Sequence, residues 1–526
     1  MGEHKELNPP LVTSILTFTC FTAIFLLGKL RDLFRRRITT KGFAPLREAY
    51  EDFYQRRMFF RIRDCWNRPI ASAPDAWIDV MERSDLGFTS GFRPLHLLET
   101  TKRCLNLGSY NYLGFAAADE YCTPRVQSTM AELGVSTCSS RADAGTTPAH
   151  LELEELVAEF IGTEAALTFG MGYATNSATI PALAGKGCLI ISDALNHASI
   201  VAGARASGAK VKVFRHNDPQ HLDAVLKDSI AQGQPRTHRP WKKILIIVEG
   251  IYSMEGEVCA LPEIVAVKKK YGAYLYLDEA HSIGAMGKHG RGVCEHWGVN
   301  PRDVDIMMGT FTKSFGSCGG YIAGSHQLVK YLQANSPAHL YATAMSAPSV
   351  QQVSSAIRLL RGEDGTTRGR DKVRQLHDNA NYLRRRLTEA GLHVLGDWDS
   401  PVMPLMIYSP AKLPAFSRMC LARNVAVVVV GFPATALLLT RARLCISAAH
   451  TPEDIDYAVA VLEEVCGVCM MKYGRQQSLP PLRDHPTDPA SVPPPNPTHV
   501  GQRSPGSCAP ASASQRQHPP QAQDVQ

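Results

Sequence analysis

Short apolar runs alternate with amphipathic runs between residues 160 and 310, and this alternation most limits what the chain can fold into. We predict strands at Cys188–Ser192, Val211–Phe214, Ile244–Val248, Tyr274–Leu277 and Val304–Met308. We predict helices between them at Ala198–Ala206, Gln220–Ala231 and Leu261–Tyr271, the last ending before the C-cap Gly272. Such alternation predicts an α/β fold with a mostly parallel sheet covered on both faces. Ligands of these sheets bind at the carboxyl ends of the strands.

A single lysine stands in the turn after the last of these strands, within Met307–Gly320 (MMGTFTKSFGSCGG). Lys313, in a turn that carries glycine, can reach into a pocket above the edge of the sheet. Burial lowers the pKa of a lysine from its usual value near ~10.4 and frees the amine to form a Schiff base. Thr310 and Thr312 add hydroxyls that can donate to a phosphate. This stretch alone is equally compatible with a solvated lysine in a polar turn.

Two further stretches favour the pocket. Asp278 ends a predicted strand 35 residues before Lys313, about one strand-to-strand repeat. A lone Asp there is more often a helix cap, but beside this lysine it can pair with a pyridinium nitrogen. The glycines of Phe169–Asn176 let the backbone approach a phosphate at a helix N-terminus, although their spacing fits neither dinucleotide nor P-loop motifs. The three stretches together predict pyridoxal 5'-phosphate (PLP) as the cofactor.

Seven motifs extend this pattern in a fixed order along the chain. They are SYNYLGF (109–115), FGMGYATN (169–176), SDALNHAS (192–199), VEGIYSMEG (248–256), LDEAHSIGAMG (277–287), GTFTKSFG (309–316) and RARLCISAAHT (441–451). Taken together they resemble the α-oxoamine synthases, a family of fold type I PLP enzymes. Within that family the resemblance is to the catalytic subunits of eukaryotic serine palmitoyltransferase, of the long-chain-base subunit 2 or 3 type. It runs from about residue 46 to residue 473.

The resemblance implies a reaction and its substrates. The family condenses L-serine with palmitoyl-CoA, or a similar long-chain acyl-CoA, and releases carbon dioxide to give 3-ketodihydrosphingosine, the first step of sphingolipid biosynthesis. Three alternatives stay open: another α-oxoamine synthase, a weakened or non-catalytic paralogue subunit, and a plain binding module. The second alternative rests on departures from the family pattern at residues 135–150, Cys318 and Ala436. The presence of Lys313 favours a catalytic chain, because the family's companion subunit lacks that lysine.

The resemblance also assigns roles to single residues. Those implied to bind the cofactor are Lys313, Asp278, His281, His197, Gly172, Tyr173, Thr310 and Thr312. Lys313 and His197 form the catalytic pair, His197 by stacking on the cofactor ring. Arg443 holds the substrate carboxylate together with Asn111, and Arg441 is the alternative to Arg443. Without the family, His197 would be a helix-start histidine and Asn111 a turn residue. No metal site is predicted.

The N-terminal region predicts contact with a membrane. Leu11–Gly28 holds 18 residues without a charge, at the lower limit for a spanning helix. A basic cluster follows this run at Lys29, Arg31, Arg35, Arg36 and Arg37. A signal peptide would place its basic residues first, whereas this order leaves the remaining chain in the cytosol. A helix lying in the membrane plane is the alternative, and the resemblance implies an anchor in the endoplasmic reticulum.

We divide the chain into five segments, which are a membrane anchor (1–38), a linker or packing region (39–104), a PLP-binding large domain (105–349), a small α+β C-terminal domain (350–473) and a disordered tail (474–526). The tail is rich in Pro, Ser, Gln and Ala and poor in apolar residues.

The net charge is +7, and the chain has no dense basic block beyond the N-terminal region, so nucleic-acid binding is not predicted. The 14 cysteines are scattered, as in a cytosol-facing protein. The resemblance implies a heterodimer with a companion long-chain-base subunit 1 and small regulatory membrane subunits.

Overall fold

The computed structural model of the chain describes residues 9–35, 59, 62–84 and 95–474. Some of the sequence predictions lie outside these residues: Arg36 and Arg37 of the basic cluster, residues 39–58, 60–61 and 85–94 of the predicted linker, and the predicted tail beyond Gly474.

The strands, numbered in chain order, are β1 Trp77–Arg83, β2 Leu97–Asn106, β3 Ala165–Phe169, β4 Leu189–Asp193, β5 Lys210–Phe214, β6 Ile244–Glu249, β7 Tyr274–Asp278, β8 Ile306–Thr310, β9 Gly320–Gly324, β10 Val402–Met406, β11 Val425–Ala426, β12 Val428–Val430 and β13 Arg441–Cys445. The helices are α1 Leu11–Arg35, α2 Cys122–Leu133, α3 Pro148–Ile161, α4 Gly172–Leu183, α5 Ala198–Ala206, α6 Pro219–Gln232, α7 Leu261–Tyr271, α8 Val293–Trp297, α9 His326–Asn335, α10 Pro337–Leu340, α11 Ala347–Leu360, α12 Arg368–Glu389, α13 Lys412–Ala422 and α14 Pro452–Val468. Short 3-10 turns lie at Arg63–Cys65 and Pro301–Asp303.

A seven-stranded sheet, in the order β3-β9-β8-β7-β6-β4-β5, forms the centre of the fold. Strands β4 to β8 pair in parallel, whereas β9 runs antiparallel to both β3 and β8. The predicted mostly parallel sheet is thus confirmed. Ile190, Ile191, Ile246 and Ile247 are fully buried, which is the pattern of strands covered by helices on both faces.

The parallel pairing brings four strand ends to one edge of this sheet. Those ends carry Asp193, Glu249, Asp278 and Thr310, and all four residues are buried. Glu249 and Asp278 are direct neighbours in the register of β6 and β7. Polar groups therefore gather at the carboxyl edge, where ligands of parallel sheets bind.

Two smaller three-stranded sheets complete the described fold. One has the order β10-β13-β12 and is antiparallel, with Arg443 of β13 opposite Pro404 and Val428. The other joins β1 and β2 of the predicted linker region to β11. The apolar run at residues 425–430 is thus divided between two sheets. The domain boundaries themselves stay predictions.

The last helix begins with a capped N-terminus. Thr451 is the N-cap of α14 and forms a capping box with Asp454, and Pro452 takes the first helical position. Two bonds define the box: the Asp454 N–H donates to the Thr451 hydroxyl, and the Thr451 N–H donates to the Asp454 carboxylate.

The glycine-rich turn at residues 287–292 exposes Lys288 and Arg291 and buries its glycines. Gly292 has φ +89°, and a Cβ there would lie 2.5 Å from Oε2 of Glu279. The buried Glu279 carboxylate also accepts from the Ser282 hydroxyl and the Val293 N–H. The turn is packed on a buried acid, which excludes a side chain at this position.

The segment at residues 135–150 departs from the family pattern but is well anchored. The Arg141 guanidinium forms a buried ion pair with Glu154 at 2.7 Å and also donates to the Thr168 hydroxyl at 2.8 Å. The Nε2 atom of His150, also buried, lies 2.9 Å from the carbonyl oxygen of Met345. These contacts fix the segment to α3 and β3.

The N-terminal helix α1 is apolar over most of its length. Residues Leu11–Leu30 have a mean hydropathy of 2.1, which is long and apolar enough to cross a membrane by length and composition. Its large side chains Leu11, Leu16, Leu26 and Leu27 are exposed. A signal sequence near the N-terminus would pass the same test, so the helix alone is weak support for an anchor.

Candidate active site

Lys313 lies in the turn after β8, and its Nζ atom is 5.4 Å from the centroid of the Tyr110 ring. Burial lowers the pKa of Lys313 to about 8. The carboxylates of Asp278 and Glu249 oppose this shift, and the positive charge of Arg443 adds to it. A lysine in this setting is not the solvated surface group that its turn alone allowed.

Asp278, the last residue of β7, is 3% exposed and points both carboxylate oxygens at protein donors. Oδ1 accepts from the Ala280 N–H at 2.9 Å, and Oδ2 accepts from the side-chain amide of Asn176 at 2.7 Å. Asn176 stands in the motif FGMGYATN, and the sequence alone predicts no role for it. The carboxylate is therefore held in one orientation at the edge of the sheet.

The N-terminus of α4 meets the end of β8 closely. A Cβ on Gly172, the first residue of α4, would lie 2.6 Å from Oγ1 of Thr310, so only glycine allows this approach. The Thr310 hydroxyl contacts the carbonyl of Gly319 at 3.0 Å and the Thr312 hydroxyl at 2.8 Å. The first N–H groups of a helix, here those of Gly172 and Tyr173, have no acceptor within the helix. Such a cradle suits a phosphate.

His197 is the N-cap of α5, and its Nδ1 atom accepts from the Ser199 N–H at 3.2 Å. Its own backbone N–H donates to the carboxylate of Glu249. Partial burial lowers the pKa of His197, and the positive charges of Lys313 and Arg443 act in the same direction. The imidazole is therefore neutral near pH 7, although the residue stays open to solvent.

His281 is 5% exposed, and its Nδ1 atom lies 2.7 Å from the hydroxyl of Tyr112. The Tyr110 ring packs edge-on against the imidazole, with ring centroids 5.1 Å apart. Burial and the charges of Lys313 and Arg443 hold the pKa of His281 well below its usual range. Tyr110 and Tyr112 were missed as site residues, although they flank Asn111 in SYNYLGF.

The structure separates the two arginines of β13. The Arg441 guanidinium is used in contacts within the protein, since it pairs with Glu255 at 3.2 Å and donates to the carbonyls of Met254 and Leu439. The Arg443 guanidinium instead lies 4.5 Å from the centroid of the Tyr110 ring. Its buried Nε finds no hydrogen-bond partner among the residues that the structure describes. Arg443 is thus the arginine that is placed to take an anion.

The Asn111 amide is engaged at both ends. Its Nδ2 atom donates to the carbonyl of Pro74 at 2.9 Å, and its Oδ1 atom accepts from the Ala116 N–H at 3.1 Å. These bonds stabilise the turn that carries Tyr110 and Tyr112. The substrate-binding role of Asn111 stays a prediction. In that role the Asn111 side-chain amide would have to bond the substrate in addition to its bonds with Pro74 and Ala116.

These residues fit the predicted cofactor. The partnerless Nε of Arg443 and the glycine-only cradle at Gly172 are what an anionic ligand with a phosphate requires. Lys313 offers an amine with a lowered pKa, and Asp278 offers a fixed carboxylate. An amine, a carboxylate and a phosphate cradle around one space are the protein groups that PLP needs.

Comparisons with known proteins agree with this site. A family model described as aminotransferase class I and II matches residues 102–462. Long chain base biosynthesis protein 2d of Oryza sativa subsp. japonica is 61% identical over 470 residues, covering 88% of this chain and 96% of that protein. Serine palmitoyltransferase 3 of Homo sapiens is 48% identical over 479 residues, covering 89% and 86%.

A solved structure gives the same relationship. The serine palmitoyltransferase of S. paucimobilis, as a lysine-to-alanine variant with a bound PLP–myriocin aldimine, has a TM-score of 0.70 and 27% sequence identity. The match covers 81% of this chain and 100% of that one. The fold and the family match together place this chain in the class I and II aminotransferases, as a fold type I protein.

Within that class, the chain belongs to the family of serine palmitoyltransferases and long-chain-base biosynthesis proteins. The relatives that carry these names are matched over most of their own length. The predicted family and fold class are confirmed. The roles of the individual site residues stay predictions, supported by the geometry described above.

Proposed function

We propose that this chain catalyses the decarboxylating condensation of L-serine with palmitoyl-CoA or a similar long-chain acyl-CoA. The product would be 3-ketodihydrosphingosine, and the reaction would be the first step of sphingolipid synthesis. One observation carries the proposal: Lys313, with a pKa lowered to about 8, interacts electrostatically with the fixed Asp278 carboxylate and with Arg443, whose buried Nε has no hydrogen-bond partner among the described residues. This set occurs in a chain of the serine palmitoyltransferase family.

PLP is the cofactor, and when bound it draws electron density away from the Cα atom of an amino acid. Lys313 would hold it through Nζ, with Asp278 at the ring nitrogen and His281 at the ring hydroxyl. His197 would cover the ring face. The residues that would bind the phosphate are Gly172, Tyr173, Thr310 and Thr312.

The same residues would position serine and move its proton. Arg443 would take the serine carboxylate in a bidentate way, with His197 and Asn111 as further contacts. The Nζ atom of Lys313, once free, would remove the proton from Cα, which requires a neutral amine. A pKa near 8 keeps a useful fraction of this amine neutral close to physiological pH.

The N-terminal helix and the partners complete the proposal. The exposed apolar helix α1 supports anchoring in the endoplasmic reticulum membrane, with the catalytic part facing the cytosol. We also propose a heterodimer with a companion long-chain-base subunit 1 and contacts with small regulatory membrane subunits. These assignments rest on the family, and co-purification of the companion with the full-length chain tests them.

A direct test compares amino acids as substrates. Purified full-length protein, together with its companion, should form product from palmitoyl-CoA and L-serine and far less from glycine. The Lys313→Ala variant should lose this activity, whereas Lys330→Ala, on the exposed face of α9, should keep it. A preference for glycine would favour another α-oxoamine synthase. A lack of product from both amino acids would favour a non-catalytic subunit.

A further inference from the structure

The side-chain amide of Asn176 connects three elements of the candidate site. Asn176 lies in the first half of α4, whose N-terminus forms the phosphate cradle. Its Nδ2 atom donates to Asp278 of β7 at 2.7 Å and to the hydroxyl of Ser199 in α5 at 3.0 Å. Asn176 and Ser199 are each 1% exposed and Asp278 is 3% exposed, so water does not compete for these bonds.

The orientation of this amide is fixed by its neighbours. The hydroxyl of Tyr276 donates to Oδ1 of Asn176 at 2.7 Å. An ionised carboxylate can only accept, so the nitrogen end of the amide must face Asp278. Both hydrogens of Nδ2 are then used, one for Asp278 and one for Ser199. The reversed amide would place its oxygen against the Asp278 carboxylate and its nitrogen against the Tyr276 phenol, which would then have to accept.

The chain of hydrogen bonds extends from Ser199 to His197. Because Ser199 Oγ accepts from Asn176, its own hydrogen is available for the Nδ1 atom of His197, which lies 2.8 Å away. The backbone N–H of Ser199 also donates to that atom at 3.2 Å. With two donors aimed at it, Nδ1 carries a lone pair, and the single proton of the neutral ring lies on Nε2.

We infer that Asn176 is a positioning residue whose amide fixes the Asp278 carboxylate and, through Ser199, the Nε2-protonated tautomer of His197. The inference rests on the proposed function, in which those two residues contact the cofactor ring. One amide thereby couples the acid at the ring nitrogen to the histidine on the ring face. An Nε2–H group on His197 is left free to donate to a substrate oxygen.

Several charged and titratable groups face His197, and the pH dependence must include them. Lys313 and Arg443 add positive charge, and Asp278 adds negative charge. Glu249 receives the backbone N–H of His197, and the Tyr173 ring packs edge-on at 6.1 Å between centroids. Ser199→Ala leaves all of these groups in place, whereas a carboxylate at residue 176 adds negative charge beside Asp278. A shift of the pH profile in Ser199→Ala therefore reports the hydrogen-bond relay.

The test compares Asn176→Asp, Ser199→Ala and Thr179→Val with the unmodified full-length holoenzyme. Asn176→Asp keeps the shape of the side chain but replaces the donor with an acceptor beside Asp278. We expect PLP affinity to fall roughly tenfold or more, in line with the loss of one hydrogen bond to a charged group. The Ser199 hydroxyl would then donate to the new carboxylate, and His197 would lose one of the two donors to Nδ1.

The loss of this donor should shift the pKa of His197 in a defined direction. A donor to Nδ1 stabilises the neutral imidazole, so its removal raises the pKa of His197. Activity that needs the neutral ring is then lost at a higher pH as the solution is acidified. We therefore expect the acidic limb of kcat/KM for serine to move to higher pH in both Asn176→Asp and Ser199→Ala. Ser199→Ala leaves the bond to Asp278 intact and should keep the PLP affinity.

Thr179→Val is the matched control. Thr179 lies one turn further along α4, is fully buried, and its hydroxyl has no partner among the described residues. This variant should keep both the pH profile and the PLP affinity. A shift of the same size in Thr179→Val would show that any change in this helix disturbs the site and would overturn the inference.

Unchanged pH profiles in Asn176→Asp and Ser199→Ala, in an active enzyme, would also overturn it. If Asn176→Asp does not fold, the profile of Ser199→Ala decides alone. An unmodified chain that binds no PLP would refute the proposed function and the inference with it. An active unmodified enzyme whose Asn176→Asp and Ser199→Ala variants keep its pH profile would refute only the inference.

Discussion

Two cations of the candidate site share one aromatic ring. The Tyr110 ring lies 5.4 Å from Nζ of Lys313 and 4.5 Å from the Arg443 guanidinium. Such cation–π contacts stabilise charge that is partly removed from water. Burial also raises the pKa of the Tyr110 phenol to about 12, so it stays neutral beside both cations. The pocket is therefore electropositive at the point where a carboxylate and a phosphate are proposed to bind.

The arginines of β13 allow a prediction at this scale. Arg443→Lys should raise the KM for serine roughly tenfold, because an ammonium cannot reproduce a bidentate contact with a carboxylate. Thermal unfolding should change little, since the Nε of Arg443 has no partner in the described part of the chain. Steady-state kinetics and thermal unfolding of the purified variant measure both effects.

Arg441→Ala is the reciprocal variant of the same strand. It leaves the Glu255 carboxylate, which is 13% exposed, without its ion-pair partner. Unfolding free energy should fall by about 3 kcal/mol, as for other broken buried pairs. The KM of the surviving enzyme for serine should stay close to the original. If Arg441→Ala raised the KM at unchanged stability while Arg443→Lys left it unchanged, the assignment of the two arginines would be reversed.

Some residues of the site could be found from the sequence and others could not. Lys313, Asp278 and Gly172 stand near strand ends or helix starts, where residue type and local pattern were enough to predict them as site residues. Asn176 and Asp278 are 102 residues apart, and their bond depends on how α4 packs against the sheet. No local pattern carries that information. The choice of Arg443 over Arg441 likewise needed the contacts of each guanidinium.

At the scale of elements, buried parallel strands were the most predictable. Continuous apolar runs bounded by polar turns marked β4 to β8, and α5 and α7 have the bounds that were predicted. Gly272 ends α7 with φ +61°, a conformation that glycine adopts without strain. Local signals and burial act together in these elements, so each predicted strand overlaps the observed one.

The antiparallel strand β9 and the divided apolar run at residues 425–430 show where prediction from local sequence fails. β9 reads GYIAG, and its glycines allow close packing rather than marking a strand. A Cβ on Gly320 would lie 2.7 Å from the carbonyl of Gly309 in β8. Val425–Val430 forms one apolar run, yet β11 pairs with β2 and β12 with β13. Tertiary partners, which the run itself does not reveal, decide the break.

At the scale of the whole molecule, α1 is the element whose setting the described fold explains least. Its large apolar side chains are exposed, which is costly in water and natural in lipid. The membrane proposal gives this surface a partner. The charged cluster that begins at Lys29 would then mark the cytosolic side.

Removal of Leu11–Leu30 tests the anchor. The full-length chain should stay with membranes through washes at high salt and at alkaline pH. The variant without these residues should move to the soluble fraction when expressed alone, and it should keep the visible absorbance of bound PLP. A shortened chain that still resists both washes would show that other residues attach it to the membrane.

The central claim is that Lys313 carries the cofactor in a pocket that Asp278 and Arg443 complete. The most direct measurement treats the full-length holoenzyme with borohydride, digests it and locates the pyridoxyl group by mass spectrometry. We expect a single modified peptide, with the group on Nζ of Lys313, and loss of the visible absorbance. Modification of a different lysine, or a reduced protein that carries no pyridoxyl group, would contradict it.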